Sequence, residues 1–394
     1  MLFLGLALSI LAPVPRARAA AKETVLYAFR GGTDGSLPVA GLIFDQAGNL
    51  YGTTASGGAS NAGTVFELSC SGTRWNKTVL YNFTGGSDGG SPLASLIFDG
   101  AGNLYGTASQ GGTASQYSSG VAFEISPNSG VWLETVIHTF KGPSGGDGTF
   151  PTAALTFDSA GNLWGTAAGN AYGGAVAFGL AHSNGSWTEN VFVLGPSSNP
   201  LAGLAFDKSG RLYGTTELGF NTFGSVYELS HSQTGWSVTT LYHFTGGSDG
   251  SSPAYGNLIS DKAGNLYGTT QFGGAYGYGV VFTVSGTQGH AETVLYNFTG
   301  GSDGAYPLSG VIFDSAGNLY GTTEQGGTAG YGAVFKLTPG TGGQWSESVL
   351  HSFAGGKDGA YPVAGLLQDH QGRLYGTTQY GGANNGGVVY VIQP

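Results

Sequence analysis

Asp45-Gln46-Ala47-Gly48-Asn49-Leu50-Tyr51-Gly52-Thr53-Thr54 decides the fold, because the chain writes variants of it seven times. Its Gly-Asn-Leu-Tyr-Gly-Thr-Thr portion begins at Gly48, Gly102, Gly161, Gly210, Gly264, Gly317 and Gly372. The aromatic residues at its centre are Tyr51, Tyr105, Trp164, Tyr213, Tyr267, Tyr320 and Tyr375, at steps of 54, 59, 49, 54, 53 and 55 residues. A period of that size is one supersecondary unit stacked on copies of itself. It also explains how 394 residues fold with no visible linker between halves. Each unit buries its apolar surface on its neighbours, not in one central core.

Outward from the motif, each unit reads as four strands. Between Pro92 and Phe140 the first is Leu96-Ile97-Phe98-Asp99, and a Gly-Asn turn leads to the second, Leu104-Tyr105-Gly106-Thr107. After a Gly-rich loop comes the third, Val121-Ala122-Phe123-Glu124-Ile125, and then the fourth, Glu134-Thr135-Val136-Ile137-His138-Thr139-Phe140. All are short, β-branched or aromatic, and bounded by turn residues; no helical period is present. Runs such as Val79-Leu80-Tyr81-Asn82-Phe83 are apolar on both faces, which suits sheets covered on both sides. The expectation is an all-β, seven-bladed β-propeller with four antiparallel strands per blade, in a single domain over residues 22–394. The last unit stops after its third strand, Val388-Val389-Tyr390-Val391-Ile392, while residues 23–29 match the fourth strand at residues 292–298. The N-terminal strand should therefore complete the last blade, close the ring and hide a sheet edge.

Composition agrees. The 75 glycines recur at fixed places between apolar runs, and aromatic residues make up 12% of the chain, as in an ordered β protein rich in tight turns. The net charge is −10 without basic runs, which argues against a nucleic-acid partner. Residues 1–21 read as an export signal, an apolar stretch followed by Ala17-Arg18-Ala19. That stretch, roughly 13 residues, is short of the ~20 that span a bilayer, and no other run is long enough. A secreted, periplasmic or cell-surface monomer is expected. The single Cys70 forbids an internal disulfide.

The repeats resemble the GloVer tandem repeat of exported bacterial proteins. The resemblance rests on Leu42-Ile43-Phe44-Asp45 continuing through Gly48-Asn49-Leu50-Tyr51-Gly52-Thr53-Thr54, and on the six cousins of that run. It covers essentially the whole mature chain, although the Asp-to-Tyr portion alone is also similar to NHL-type propellers. It implies an exported β-propeller and brings no activity and no catalytic residue.

Most conserved-looking letters of the repeat have structural work to do. The turn aspartates Asp45, Asp99, Asp158, Asp207, Asp261, Asp314 and Asp369 suit a tight turn. The Tyr-Gly pair suits packing between adjacent blades, with the glycine leaving room for a neighbour. Trp75, Trp132, Trp187, Trp236 and Trp345 fall near the fourth strand, as anchors of the outer rim. A proline precedes every first strand, and six units place Asp-Gly before it, at Asp34, Asp88, Asp147, Asp249, Asp303 and Asp358. These are turn formers, but six carboxylates around one face are also a candidate Ca²⁺ site; no other cofactor is indicated. The units diverge directly after the second strand. Gln110, Glu217, Gln271, Phe272, Glu324, Gln325, Gln379 and Tyr380 offer the amides, carboxylates and rings of a carbohydrate- or peptide-binding surface. The third unit also departs, with a shortened loop and the link Gly195-Pro196-Ser197-Ser198-Asn199-Pro200 lacking the aspartate. The seven histidines show no metal-ligand spacing, and no nucleophile elbow or phosphate loop occurs. The expected function is non-catalytic: a binding scaffold for a surface glycan or an exported protein. The competing readings are an extracellular polysaccharide hydrolase or lyase using carboxylates of neighbouring blades, and a purely structural envelope protein.

Overall fold

The computed structural model describes residues 21–394 apart from 73, 113–118, 143–144, 170–174, 195–197, 219–222, 233–234, 254 and 287–288. The export segment, but for Ala21, lies outside the described residues, as do the centre of the third unit's loop and the start of its link to the fourth.

Seven four-stranded antiparallel sheets form the ring, each one blade, with strands hydrogen-bonded in the order first, second, third, outer. Blade 1 consists of Ile43–Phe44, Leu50–Thr54, Thr64–Ser71 and Arg74–Asn82. The first strand has only two residues, not the four its sequence suggests. The proline at its entrance has no N–H to give to a ladder, and carbonyls of the entering segment instead accept a hydroxyl from the preceding blade. Blade 7 is Leu367–Gln368, Leu374–Thr378 and Val388–Gln393, completed by Lys22–Ala28, the first strand of the chain. Lys22 lies opposite Gln393 and Ala28 opposite Val388.

The letters of the repeat are consumed by this framework. Asp45 Oδ1 accepts the amides of Ala47 and Asn49 at 2.9 and 2.8 Å, and Oδ2 accepts Asn49 Nδ2 at 2.8 Å and the Tyr51 hydroxyl at 3.3 Å. The same set recurs with Asp99, Asp261 and Asp314, while in blade 3 Trp164 Nε1 replaces the tyrosine hydroxyl. Gly48 supplies the positive φ, 85°, that closes the turn. Leu50 is fully buried. The first threonine reaches into the next blade: Thr107 Oγ1 donates to Ala153 O at 3.1 Å, and Thr377 Oγ1 to Ala40 O at 3.0 Å, from blade 7 to blade 1.

The glycine has a different task from the one expected. Gly52 faces Phe66 across the ladder, and a Cβ on it would come within 2.8 Å of that ring. Gly106 with Phe123, Gly165 with Phe178, Gly268 with Phe282 and Gly321 with Phe335 repeat the arrangement. The missing side chain makes room for a ring of its own blade, not of the neighbour. That ring then meets the neighbour: Phe66 touches Phe29 edge-on at 5.2 Å, Phe123 touches Phe83 at 5.1 Å, and Tyr390 touches Phe353 at 5.1 Å. The tryptophans settle on the preceding blade's second-strand ring, Trp132 on Tyr51 and Trp187 on Tyr105. Seven core clusters result, each spanning one pair of adjacent blades. A buried Phe contributes about 1.5–3 kcal/mol and a hydroxyl bond about 1 kcal/mol, so rings supply the adhesion and threonines the register.

Deleting residues 22–28 strips blade 7 of its outer strand and exposes Val389 and Val391. Thermal unfolding of the truncated chain should shift down by on the order of 10 °C or more. An unchanged melting temperature contradicts the role of this strand.

Candidate functional site

The loop entering each blade and the loop after its second strand meet on one face. Isolated bridges join Ser36 to Ser56, Gly90 to Gln110, Ser251 to Phe272, Ala305 to Gln325 and Ala360 to Tyr380. Segments from all seven blades converge below them on a central cavity of about 440 Å³, walled mainly by small residues and aliphatic side chains.

The first residue past the second strand lies on this same face, and there the ring loses its symmetry. Blades 1–3 present Ala55, Ser109 and Ala168, all buried. Blades 4–7 present Glu217, Gln271, Glu324 and Gln379, all partly exposed. Glu324 and Gln379 line the cavity together with Tyr255 and Asn257. Burial raises the Glu324 carboxyl above its usual value. The Tyr255 hydroxyl is raised first by burial and then by the charges of Glu217 and Glu324, which places both carboxylates around it. Glu217 is held by Asn199 Nδ2 at 2.8 Å and Ser252 Oγ at 3.3 Å.

Aromatic rings follow the same arc. Phe272 contacts Tyr306 at 5.4 Å, Tyr278 contacts Tyr306 at 5.7 Å, and Tyr361 touches both Tyr331 and Tyr380, at 5.7 and 6.1 Å. Tyr255, Phe272, Tyr276, Tyr278, Tyr331 and Tyr380 are exposed. On the loops of blades 1–3, Phe150 is the one large exposed ring among the described residues. Tyr306 and Tyr361 adopt φ of 57° and 56°, a region that a bulky residue occupies only where its surroundings hold it. Of the eight residues singled out by sequence, seven lie on this arc, while Gln110 stands apart on blade 2. The rings of Tyr255, Tyr278, Tyr306, Tyr331 and Tyr361 were missed. For Tyr306 and Tyr361 a signal was present in Ala305-Tyr306-Pro307 and Ala360-Tyr361-Pro362, where the other units carry Leu37, Ser91, Phe150, Asn199 or Ser252 before the proline.

The Asp-Gly carboxylates point elsewhere. Each turns into its own loop and the seam toward the next blade. Asp88 accepts the Tyr81 hydroxyl at 3.0 Å, the Thr84 amide at 2.8 Å and the Thr84 hydroxyl. Asp249 and Asp303 repeat this with Tyr242 and Thr245, and with Tyr296 and Thr299. Asp34 takes Tyr27, the Arg30 amide and Lys77; Asp147 takes the Lys141 amide, and Asp358 the Ala354 amide. A calcium ion at these loops would have to displace those donors. A register shift in the outer strand brings the ring to the aspartate, leaving Leu26, Leu80, Ile137, Leu241, Leu295 and Leu350 unpaired. Blade 3 has no such shift, carries Phe192 at this position and lacks the aspartate. Bulge, ring and carboxylate are thus one device.

The next blade's outer strand faces each aspartate. It offers Lys77 to Asp34, at 3.2 Å, and a glutamate to five others. Oε1 of Glu23, Glu134, Glu189, Glu292 and Glu347 is buried without a hydrogen-bond partner. Burial, then the charge of Asp88, pushes the Glu134 carboxyl up to about 7. The same causes act on Glu292 beside Asp249 and Glu347 beside Asp303, each raised to about 7.

The family described as the Gloeobacter/Verrucomicrobia repeat matches residues 16–193 and 166–390. No curated protein matches the chain. Among solved structures, a Lactobacillus plantarum protein is similar at 15% identity over 83% of this chain and 86% of its own, with a TM-score of 0.54. A Bacteroides uniformis protein provisionally assigned as a 6-phosphogluconolactonase is similar at 12% identity over 79% and 84%, with a TM-score of 0.53. At these identities the likeness shows the propeller fold alone.

The seam glutamates set a pH dependence. Between the free value of 4.5 and about 7 the folded chain keeps protons that the unfolded chain releases, so stability falls as pH rises through that window. Asp158, Asp261 and Asp314 are held below 3.8 by hydrogen bonds that outweigh burial, so stability is also lost as pH falls through that range. The melting temperature should peak at about pH 4 and decline toward pH 8. Combining Glu134→Gln, Glu292→Gln and Glu347→Gln should flatten the decline. A wild-type melting temperature equal at both pH values rules the seam protons out.

Proposed function

Because the chain belongs to the Gloeobacter/Verrucomicrobia repeat family, with its shared letters spent on the blade framework, we propose that it is an exported binding propeller whose ligand engages the arc over blades 4–7. The export reading rests on residues 1–21, whose apolar stretch ends in Ala17-Arg18-Ala19. The ligand class is a neutral glycan of the cell surface or its surroundings. One observation carries this: exposed tyrosines, packed on the half-buried Tyr306 and Tyr361, share the arc with Glu217, Gln271, Glu324, Gln325 and Gln379. Ring faces cover the apolar faces of sugars, and amides and carboxylates take their hydroxyls. Glu324 in the cavity wall and Glu217 near Tyr255 oppose an anionic ligand.

A second reading rests on the same cavity. Burial keeps a proton on Glu324 to higher pH, as a general acid requires, and Glu217 is a second carboxylate near Tyr255. On that reading a bound glycan is cleaved.

A glycan array probed with the mature chain tests both. Retention of a neutral oligosaccharide is expected, with Tyr361→Ala and Tyr380→Ala each weakening it about tenfold or more, in line with the loss of a ring contact, at nearly unchanged melting temperature. Absence of any retained glycan, or full retention by both variants, removes the glycan reading and favours an exported protein as partner. Release of reducing ends from a retained glycan, lost in Glu324→Gln, would establish the enzyme reading.

A further inference from the structure

The seam between blades 2 and 3 differs from those with a tyrosine. At the ring position stands His138, on the outer strand Val131–Thr139 of blade 2. Its Nε2 lies 3.5 Å from Asp147 Oδ2 and 3.3 Å from Glu189 Oε1, the latter on the outer strand Ser186–Val193 of blade 3. The three donor atoms fall within 4.8 Å of one another. The side chains of His138, Asp147 and Glu189 are 13%, 2% and 14% exposed, and His138 Nε2 and Glu189 Oε1 are buried with no hydrogen-bond partner.

The spacing is informative. Where tyrosine occupies this position its hydroxyl closes on the aspartate to between 2.6 and 3.0 Å. The histidine stands off. It does so again at the seam of blades 6 and 7, where His351 Nε2 is 3.5 Å from Asp358 Oδ2 and both it and Glu23 Oε1 are buried without partners. A tetrahedral ion with ligands at about 2.0–2.2 Å separates its donors by about 3.3–3.6 Å, the spacing of imidazole and carboxylate here. The surroundings suit such a site. The Lys141 amide donates to both Asp147 oxygens, at 2.9 and 3.0 Å, and Phe140 holds the His138 ring edge-on at 4.7 Å. Fixed orientation of this kind is what supporting groups give a metal ligand.

We propose that His138, Asp147 and Glu189 form an interblade site for a divalent transition ion of the zinc type, with one imidazole and two carboxylates as ligands and a fourth position for water. The ion would pin blade 2 to blade 3, beside the seam that lacks the bulge-and-aspartate device. The sequence hides it because the ligands are 9 and 42 residues apart on two blades.

Zn²⁺ titration of the chelator-stripped mature chain by calorimetry tests this. Wild type should bind one more equivalent than His138→Tyr, which installs the ring that other seams already tolerate. Glu189→Gln should weaken that equivalent at least tenfold, and Zn²⁺ should raise the melting temperature of wild type more than of either variant. Equal Zn²⁺ binding by wild type and both variants, or no binding by wild type, overturns the proposal. Circular dichroism of each variant identifies any that fails to fold, and the other then decides.

Discussion

In blade after blade an aromatic ring on the third strand lies across the glycine opposite it on the second, and the rest of the ring depends on that contact. With no Cβ at Gly52 or Gly106, the ring drops onto the backbone and projects its edge into the next blade. There it meets the phenylalanine that ends the previous outer strand, so one contact organises a blade internally and joins it to its neighbour. The seam between blades 3 and 4 is made differently. Leu194 takes the place of that phenylalanine, and Trp236 closes on Trp164 at 4.6 Å while Phe192 stacks on Trp164 at 5.7 Å.

Much of this was legible in the repeat, for a physical reason. Turn geometry, strand period and the split last blade are local or periodic properties, and each leaves a mark at a fixed spacing. Asp45 was readable as a turn former because its partners lie within six residues. The partner of Gly52 was misread because sequence cannot say whether a gap is filled from the same sheet or the next. The Asp-Gly carboxylates were legible as loop formers but not as seam elements, since Glu134, Glu292 and Glu347 reach them from another blade.

The arc was half legible. Divergence after the second strand pointed to Glu217, Gln271, Glu324 and Gln379, but not to Tyr278 and Tyr331 further along the same loops, nor to Tyr255, Tyr306 and Tyr361, which come from the other loop. Symmetry explains why these positions matter. Folding alone does not call for the exposed rings, which among the described residues gather on the loops of blades 4–7, with Phe150 the exception. The buried Ala55, Ser109 and Ala168 show that the framework accepts small residues at the same place.

The molecule is thus divided between a seven-fold framework and a one-sided binding arc. Amide hydrogen exchange, measured on the mature chain with and without its best-retained oligosaccharide, tests it most directly. New protection is expected only on the loops around residues 217, 252–255, 271–278, 305–306, 324–331, 360–361 and 379–380, with those around residues 36, 56, 91 and 110 unchanged. Protection spread evenly over all seven blades, or centred on blades 1–3, would contradict it.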